Sequence, residues 1–297
     1  MTTPSTVDAL PLRPPLPFPP GQTEEQIAAI LGSIELEHAQ KAELENYWRQ
    51  DWRRFVYTLG LASELRGTCL EIGANPYFTT TLLLLFTKLE LHLTNYFGPQ
   101  FGTNAEQTIT FRDPFANQPR QEVYSFAHFN IEQEPFPFPN SSFDVVLLCE
   151  VLEHLQNDPI RVLLEIKRVL KRRGRLILTT PNVARLENLL RLTAGENIYD
   201  PYSGYGPYGR HNREYNKHDL ARLLEFCGFE LEILFSADVH ANAQPASVSS
   251  AEILPLVAFR QEDLGQYLFS RSNNARPERR GRPSWLYRSL PAHELVS

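Results

Sequence analysis

Phe143-Asp144-Val145-Val146-Leu147-Leu148-Cys149-Glu150-Val151-Leu152-Glu153-His154-Leu155 is the stretch whose reading decides the fold. Val145 to Cys149 is a short, unbroken and partly β-branched apolar run, the mark of a strand buried on both faces. Such a strand belongs in the middle of a parallel sheet. Polar chemistry begins where it stops, with Glu150, Glu153 and His154 in quick succession. In open α/β sheets ligands bind outside the carboxyl ends of the strands. Two carboxylates and an imidazole thus fall where a reaction can take place.

Working outward, Gly67 to Gly73 reads as a strand running into a tight turn, with a helix from Phe78 to Lys88 and a strand from Leu89 to Tyr96. Glu122 to Phe129 reads as a third strand after a long irregular connection over 97–121. Downstream, Asp158-Pro159 caps a helix ended by Gly174, with Lys171, Arg172 and Arg173 expected in its last turn to offset the helix dipole. Arg175 to Thr180 is another buried strand. Asn216 caps a helix ending at Gly228, Phe229 to Ser236 is a strand, Leu254 to Leu264 a helix, and Gln266 to Arg271 the last strand. Alternating strands and helices predict a doubly wound α/β fold, mostly parallel with an antiparallel last strand.

The organisation follows from composition. Residues 1–22 are proline-rich and read as a flexible tail. Residues 23–66 read as an N-terminal helical lid, with Thr23 and Gln26 forming a capping box and Tyr47, Trp48, Trp52 and Phe55 packing on the main domain. The main domain spans 67–271, with an insertion over 182–216 that carries Tyr199, Tyr202, Tyr205 and Tyr208. These tyrosines either line an acceptor pocket or pin the long loop. Residues 272–297 form a basic C-terminal tail, expected to be partly disordered, with Trp285, Leu286 and Tyr287 docking on the domain or a partner. A net charge of −6 argues against a protein that is globally a polyanion binder, so nucleic acid is not the expected partner. Cys69, Cys149 and Cys227 are isolated in apolar surroundings, which suits buried thiols in a reducing cytoplasm. Leu82 to Phe86, the longest aliphatic run, is too short for a transmembrane segment.

Several motifs, taken together, resemble the class I S-adenosylmethionine-dependent methyltransferases. They are Leu70-Glu71-Ile72-Gly73, Asn130-Ile131-Glu132 with Pro135-Phe136-Pro137, Ser142 to Val146, Glu150-Val151-Leu152-Glu153-His154, Thr180-Pro181-Asn182 and Gly209 to Tyr215. The resemblance implies S-adenosyl-L-methionine as cofactor, bound along Glu71, Gly73, Asn75, Asn95, Asn130, Ile131 and Glu150. It implies methyl transfer, most simply to a hydroxyl of a sugar or other small-molecule or glycan acceptor. Asn75 and Tyr77 stand where small glycines are common, Asn95 where an acid commonly holds the ribose, and Asn130 where Asp is common near the adenine. His154, His211 and Glu153 are the candidates for removing the acceptor proton.

Glu150-x-x-Glu153-His154 with His211 is also similar to the metal set of small-RNA 2′-O-methyltransferases. That likeness implies Mg²⁺ or Mn²⁺ held by Glu150, Glu153, His154 and His211. The same Glu-Val-Leu-Glu-His occurs in metal-free methyltransferases, so a base and a metal stand side by side as readings. Two alternatives follow: an RNA ribose 2′-O-methyltransferase, and a degenerate methyltransferase fold serving as an interaction module, suggested by Asn75, Tyr77 and Asn95.

Overall fold

The computed structural model describes residues 15–101, 104–116, 118–243, 245 and 247–296. Helices α1 (Glu24–Leu31) and α2 (Lys41–Ala62) flank a two-residue strand, β1 (Glu35–Leu36). Then come β2 (Arg66–Ile72), α3 (Phe78–Phe86), β3 (Lys88–Asn95), β4 (Asn104–Asp113), β5 (Gln118–His128) and β6 (Phe143–Cys149). The second half holds α4 (Pro159–Val169), β7 (Leu170–Pro181), α5 (Leu186–Thr193), α6 (Lys217–Phe226), β8 (Phe229–Ala237), the single-turn α7 (Ser250–Ile253) and β9 (Tyr267–Asn274).

The sheet order is β1-β4-β5-β3-β2-β6-β7-β9-β8. Strands β5, β3, β2, β6 and β7 run parallel, and β9 is antiparallel to both of its neighbours. The expected doubly wound sheet with an antiparallel last major strand is therefore present. Strand β6 lies inside the sheet between β2 and β7, and alternation along it divides the core. Val145 and Leu147 face the cluster built on α1, α2 and α3, while Val146 and Leu148 face the one built on α4 and α6.

Four local expectations change. The 97–121 connection is not irregular: β4 pairs with β5 over ten residues as an antiparallel hairpin. Helix α4 ends at Val169, so Lys167 and Arg168 occupy its last turn, and Lys171 to Arg173 begin β7. Lys171 there pairs with Asp144 at 2.7 Å, a contact distant in sequence. The segment Leu254–Asp263 is 3₁₀ rather than α-helical, with Val257 out of helical geometry.

Described residues near both chain ends pack on the domain. Of the proline-rich tail, residues 1–14 lie outside the described residues. Leu16 and Phe18 pack on the core, Phe18 stacks on Trp52, and Pro17 fills the space above Gly60 on α2. In the C-terminal tail Trp285, Leu286 and Tyr287 pack against the α4–α6 side. Tyr287 donates to Asp158 at 2.6 Å, and Arg282 pairs with the same carboxylate. Among the described residues no helix is long and apolar enough to cross a membrane.

Candidate active site

The site lies along the carboxyl ends of β2, β3, β5 and β6. At its first end β2 delivers Glu71, and the chain turns at Gly73, whose φ is +74°. A Cβ at Gly73 would come within 2.9 Å of Val151 Cγ2, so a side chain there is excluded both by conformation and by space. Glu71 is buried, and its Oε2 accepts from Thr80 Oγ1 at 2.7 Å. Burial pushes its pKa up to about 7, against the pull of that hydrogen bond.

The turn uses its own polar groups. Asn95 Oδ1 accepts from the Asn75 N–H at 2.8 Å, and Asn95 Nδ2 donates to Tyr77 Oη at 3.0 Å. Tyr77 is fully buried, takes a left-handed φ of 70° and donates to Gln107 Oε1 at 2.6 Å. The Asn75 side chain reaches the same Gln107 oxygen at 3.2 Å. Asn75 and Asn95 thus stand beside Gly73 as expected, but both polar atoms of Asn95 serve the turn. Gln107 is a participant the sequence reading missed, because it arrives from the unforeseen hairpin.

At β5 the Asn130 Nδ2 donates to Tyr208 Oη at 3.1 Å, so the insertion folds back over this strand end. Tyr208 also packs edge-on against Tyr96. Tyr199, Tyr202 and Tyr205 remain exposed. Ile131 packs into the α4–α6 cluster, and its carbonyl accepts from Arg161 at 3.2 Å.

The second end is built from Glu150, Glu153, His154 and His211. Glu150 has a left-handed φ of 55°, and its Oε1 accepts from Thr179 Oγ1 at 2.8 Å. Glu153 is completely buried; its Oε2 accepts from Thr180 Oγ1 at 2.9 Å, and its Oε1 has no partner. Burial pushes both carboxyls up, with the Arg54 charge opposing this at Glu150 and the His211 charge opposing it at Glu153. His154 Nδ1 faces the Arg210 carbonyl at 2.9 Å. A carbonyl only accepts, so Nδ1 carries the proton and Nε2 is the free nitrogen, 3.8 Å from Glu153 Oε1.

His211 is tied in the same manner, with Nδ1 at 2.9 Å from Glu214 Oε1, and Glu214 is held in turn by Arg185. Burial and the neighbouring His211 charge lower the His154 pKa. Burial would also lower His211, but the Glu214 hydrogen bond and the charges of Glu153 and Asp200 outweigh it and the pKa ends raised. One donor atom from each of Glu153, His154 and His211 lies within 4.8 Å of the others. Glu150 stands outside that group, so three of the four expected ligands come together. Glu214 and Arg185 were not foreseen; Glu214 lies three residues after His211 but shows its role only through contacts.

Arg54 was also missed. It sits on α2 with its side chain 5% exposed, and it lines a cavity of about 30 Å³ with Glu71, Gly73, Ala74 and Asn75. That is room for about a water or two. A larger cleft of about 680 Å³ between β8 and residues 258–263 is lined by none of the site residues.

Comparison with known proteins bears on this geometry. A family model described as a methyltransferase domain matches residues 44–233. A Mycolicibacterium smegmatis protein, "Probable S-adenosylmethionine-dependent methyltransferase", is 33% identical over 117 residues, which is 39% of this chain and 38% of that protein. The chain thus spans well under half of that relative's length. Two solved structures are similar at lower identity. A Haloferax volcanii methyltransferase in complex with the Trm112 methyltransferase activator is similar over 79% of this chain and 93% of its own, with 13% identity and a TM-score of 0.47. The Burkholderia thailandensis 1,6-didemethyltoxoflavin-N1-methyltransferase, bound to 1,6-didemethyltoxoflavin and S-adenosylhomocysteine, is similar over 79% and 83%, with 15% identity and a TM-score of 0.46. The family model covers more than half of the chain, which belongs to the methyltransferase-domain family and within it to the class I S-adenosylmethionine-dependent type.

Proposed function

We propose that this member of the family is an S-adenosylmethionine-dependent O-methyltransferase acting on a hydroxyl of a sugar or glycan. The observation that carries the reading is the cluster of Glu153, His154 and His211 at the sheet edge, just after Glu150 in the chain. The cofactor fits the other end: Gly73 makes a cradle that any side chain would fill, Glu71 precedes it on β2, and Asn130 follows β5 further along the same edge. S-Adenosylmethionine supplies a methyl group on a sulfonium, already a good leaving group. What remains for the protein is to align the acceptor and remove its proton.

His154 suits that second task. Its Nδ1 is committed to the Arg210 carbonyl, its Nε2 is free, and its lowered pKa keeps the ring neutral and basic near pH 7. Glu153 and His211 flank it, with His211 oriented by Glu214. The exposed rings of Tyr199, Tyr202 and Tyr205 lie on the insertion that carries His211, and flat aromatic faces suit the apolar side of a sugar ring. The net charge of −6 gives no support to an RNA acceptor.

A second reading places a divalent ion at the same cluster. The unpartnered buried oxygen of Glu153 favours it, as do two imidazoles each tied at Nδ1 and left with a free Nε2. Glu153, His154 and His211 would hold Mg²⁺ or Mn²⁺, which would supply a lowered pKa at the acceptor hydroxyl. An acceptor screen with methyl-labelled cofactor, run with and without chelator, tests both readings. Label on a sugar hydroxyl is the expected result. Loss of transfer in chelator and its return with Mg²⁺ or Mn²⁺ selects the metal, and unchanged transfer selects the imidazole base. Label only on nitrogen, on carbon or on RNA overturns the acceptor assignment.

A further inference from the structure

The cationic run Lys171-Arg172-Arg173 does not offset a helix dipole, because α4 ends before it. Phe143 pairs with Leu170 and Val145 with Arg175, so Lys171 to Gly174 bulge out of β7 opposite Asp144 alone. Gly174 lets the bulge fold tightly: a Cβ there would stand 2.9 Å from the Lys171 carbonyl oxygen and 3.0 Å from that of Asp144. Asp144 is fully engaged, since its Oδ2 accepts from Lys171 Nζ at 2.7 Å and from the Thr68 N–H and Oγ1 at 2.9 and 3.0 Å. Nearby, Arg175 and Arg271 share Glu232. Arg66, Arg172 and Arg173 are exposed and have no acid partner among the described residues. All three line a cleft of about 430 Å³, and Arg172 also lines a second of about 400 Å³ beside Arg276. Together the two clefts are lined by nine cations against four acids, on a chain of net charge −6.

We propose that this edge docks on an anionic membrane surface, with acidic lipid headgroups entering between the arginines. Charge and shape select the partner. The cations are gathered on one edge, so the rest of the chain carries the acid excess. A long polyanion wrapping the protein would meet that excess. A planar surface meets the one edge, and at physiological salt charges more than about 8 Å away are largely screened from it. No aromatic ring lines either cleft, so the bases of a nucleic acid would find nothing to stack on. Arg66 opens β2, the bulge lies at the start of β7, and Arg276 follows the end of antiparallel β9. All three positions are at the amino ends of the parallel strands. The candidate active site is at the carboxyl ends, roughly 20 Å away along β6 at the usual rise per residue. A docked molecule therefore presents that site to solvent and not to the bilayer.

The test is co-sedimentation of the full chain with vesicles of phosphatidylcholine alone, or of equal parts phosphatidylcholine and phosphatidylglycerol. It is run at about 0.1 M and at about 1 M salt, between which the screening length falls from about 10 Å to about 3 Å. Wild type is expected to pellet with the mixed vesicles at low salt, to stay in solution with phosphatidylcholine alone, and to be released at high salt. Arg172→Gln combined with Arg173→Asn removes two cations, and asparagine suits the left-handed φ of 61° at Arg173. At roughly fivefold per basic residue near such a surface, this variant should bind at least about tenfold more weakly. Arg66→Gln should lose about fivefold, and it serves if the double variant fails to fold. No pelleting of wild type with the mixed vesicles overturns the proposal, as does equal pelleting with both kinds. Unchanged binding in variants that keep the wild-type unfolding midpoint overturns the assignment to this edge. Binding of a single-stranded RNA oligonucleotide that the same variants lose, with none to the vesicles, gives the edge to nucleic acid and overturns the membrane.

Discussion

The two ends of the sheet edge treat polar groups in opposite ways. Around Gly73 the side chains bond to one another: Asn95 to Asn75 and Tyr77, Tyr77 and Asn75 to Gln107, Glu71 to Thr80. Around Glu153 valences are left over, with one buried carboxylate oxygen unpartnered and two imidazoles tied at one nitrogen only. The first arrangement makes a rigid cradle. The second makes a place where a proton or an ion can be received. The contrast teaches that one strand edge can divide holding from chemistry, and each half can be disturbed separately.

The largest effect expected on stability comes from the cradle. Burial raises the Glu71 pKa to about 7, above its value in the unfolded chain. A raised carboxyl contributes stability that is fully present below the unfolded pKa, near 4.5, and lost as pH climbs through 7. That shift corresponds to roughly 3 kcal/mol between the two limits. Glu71→Gln should therefore flatten the fall in stability between pH 5 and pH 8.5, read by urea unfolding at each pH. Identical slopes for wild type and variant would mean that the carboxyl is not buried in the protein.

A smaller effect is expected at Asn95, where the family commonly has an acid. Asn95→Asp removes the Nδ2 donor that holds Tyr77 and buries a charge among groups already paired. It should cost about 1–3 kcal/mol in denaturant unfolding and bring no gain in affinity for S-adenosylhomocysteine. Tighter cofactor binding in this variant would show that the side chain faces the ribose and that the cradle is less self-contained than its hydrogen bonds imply.

How far the sequence led depends on which contacts are local. The run Val145 to Cys149 announces a central strand because burial on both faces leaves a direct mark in residue type. Glu150, Glu153 and His154 follow within a few residues, so their arrival at one strand end was legible too. The hairpin was not legible: along β4 the inward face carries Gln107 beside Ile109 and Phe111, which breaks the apolar alternation. Arg54 escaped notice because an arginine on an aromatic helix reads as solvent-facing, and only the packing of α2 on the turn buries it. Lys171 likewise read as part of a helix end, since its partner Asp144 is distant in sequence.

The central claim is that holding and chemistry are separate along this edge. It is tested most directly by measuring two variants side by side, each for S-adenosylhomocysteine affinity and for single-turnover methyl transfer. Gly73→Val places a β-branched side chain at a positive φ and against Val151, and should weaken ligand binding by at least about tenfold. His154→Ala should leave binding nearly unchanged and lower the transfer rate by about two to four powers of ten. That crossed pattern is the predicted result. Undiminished binding in Gly73→Val, or binding and transfer falling together in His154→Ala, would contradict it.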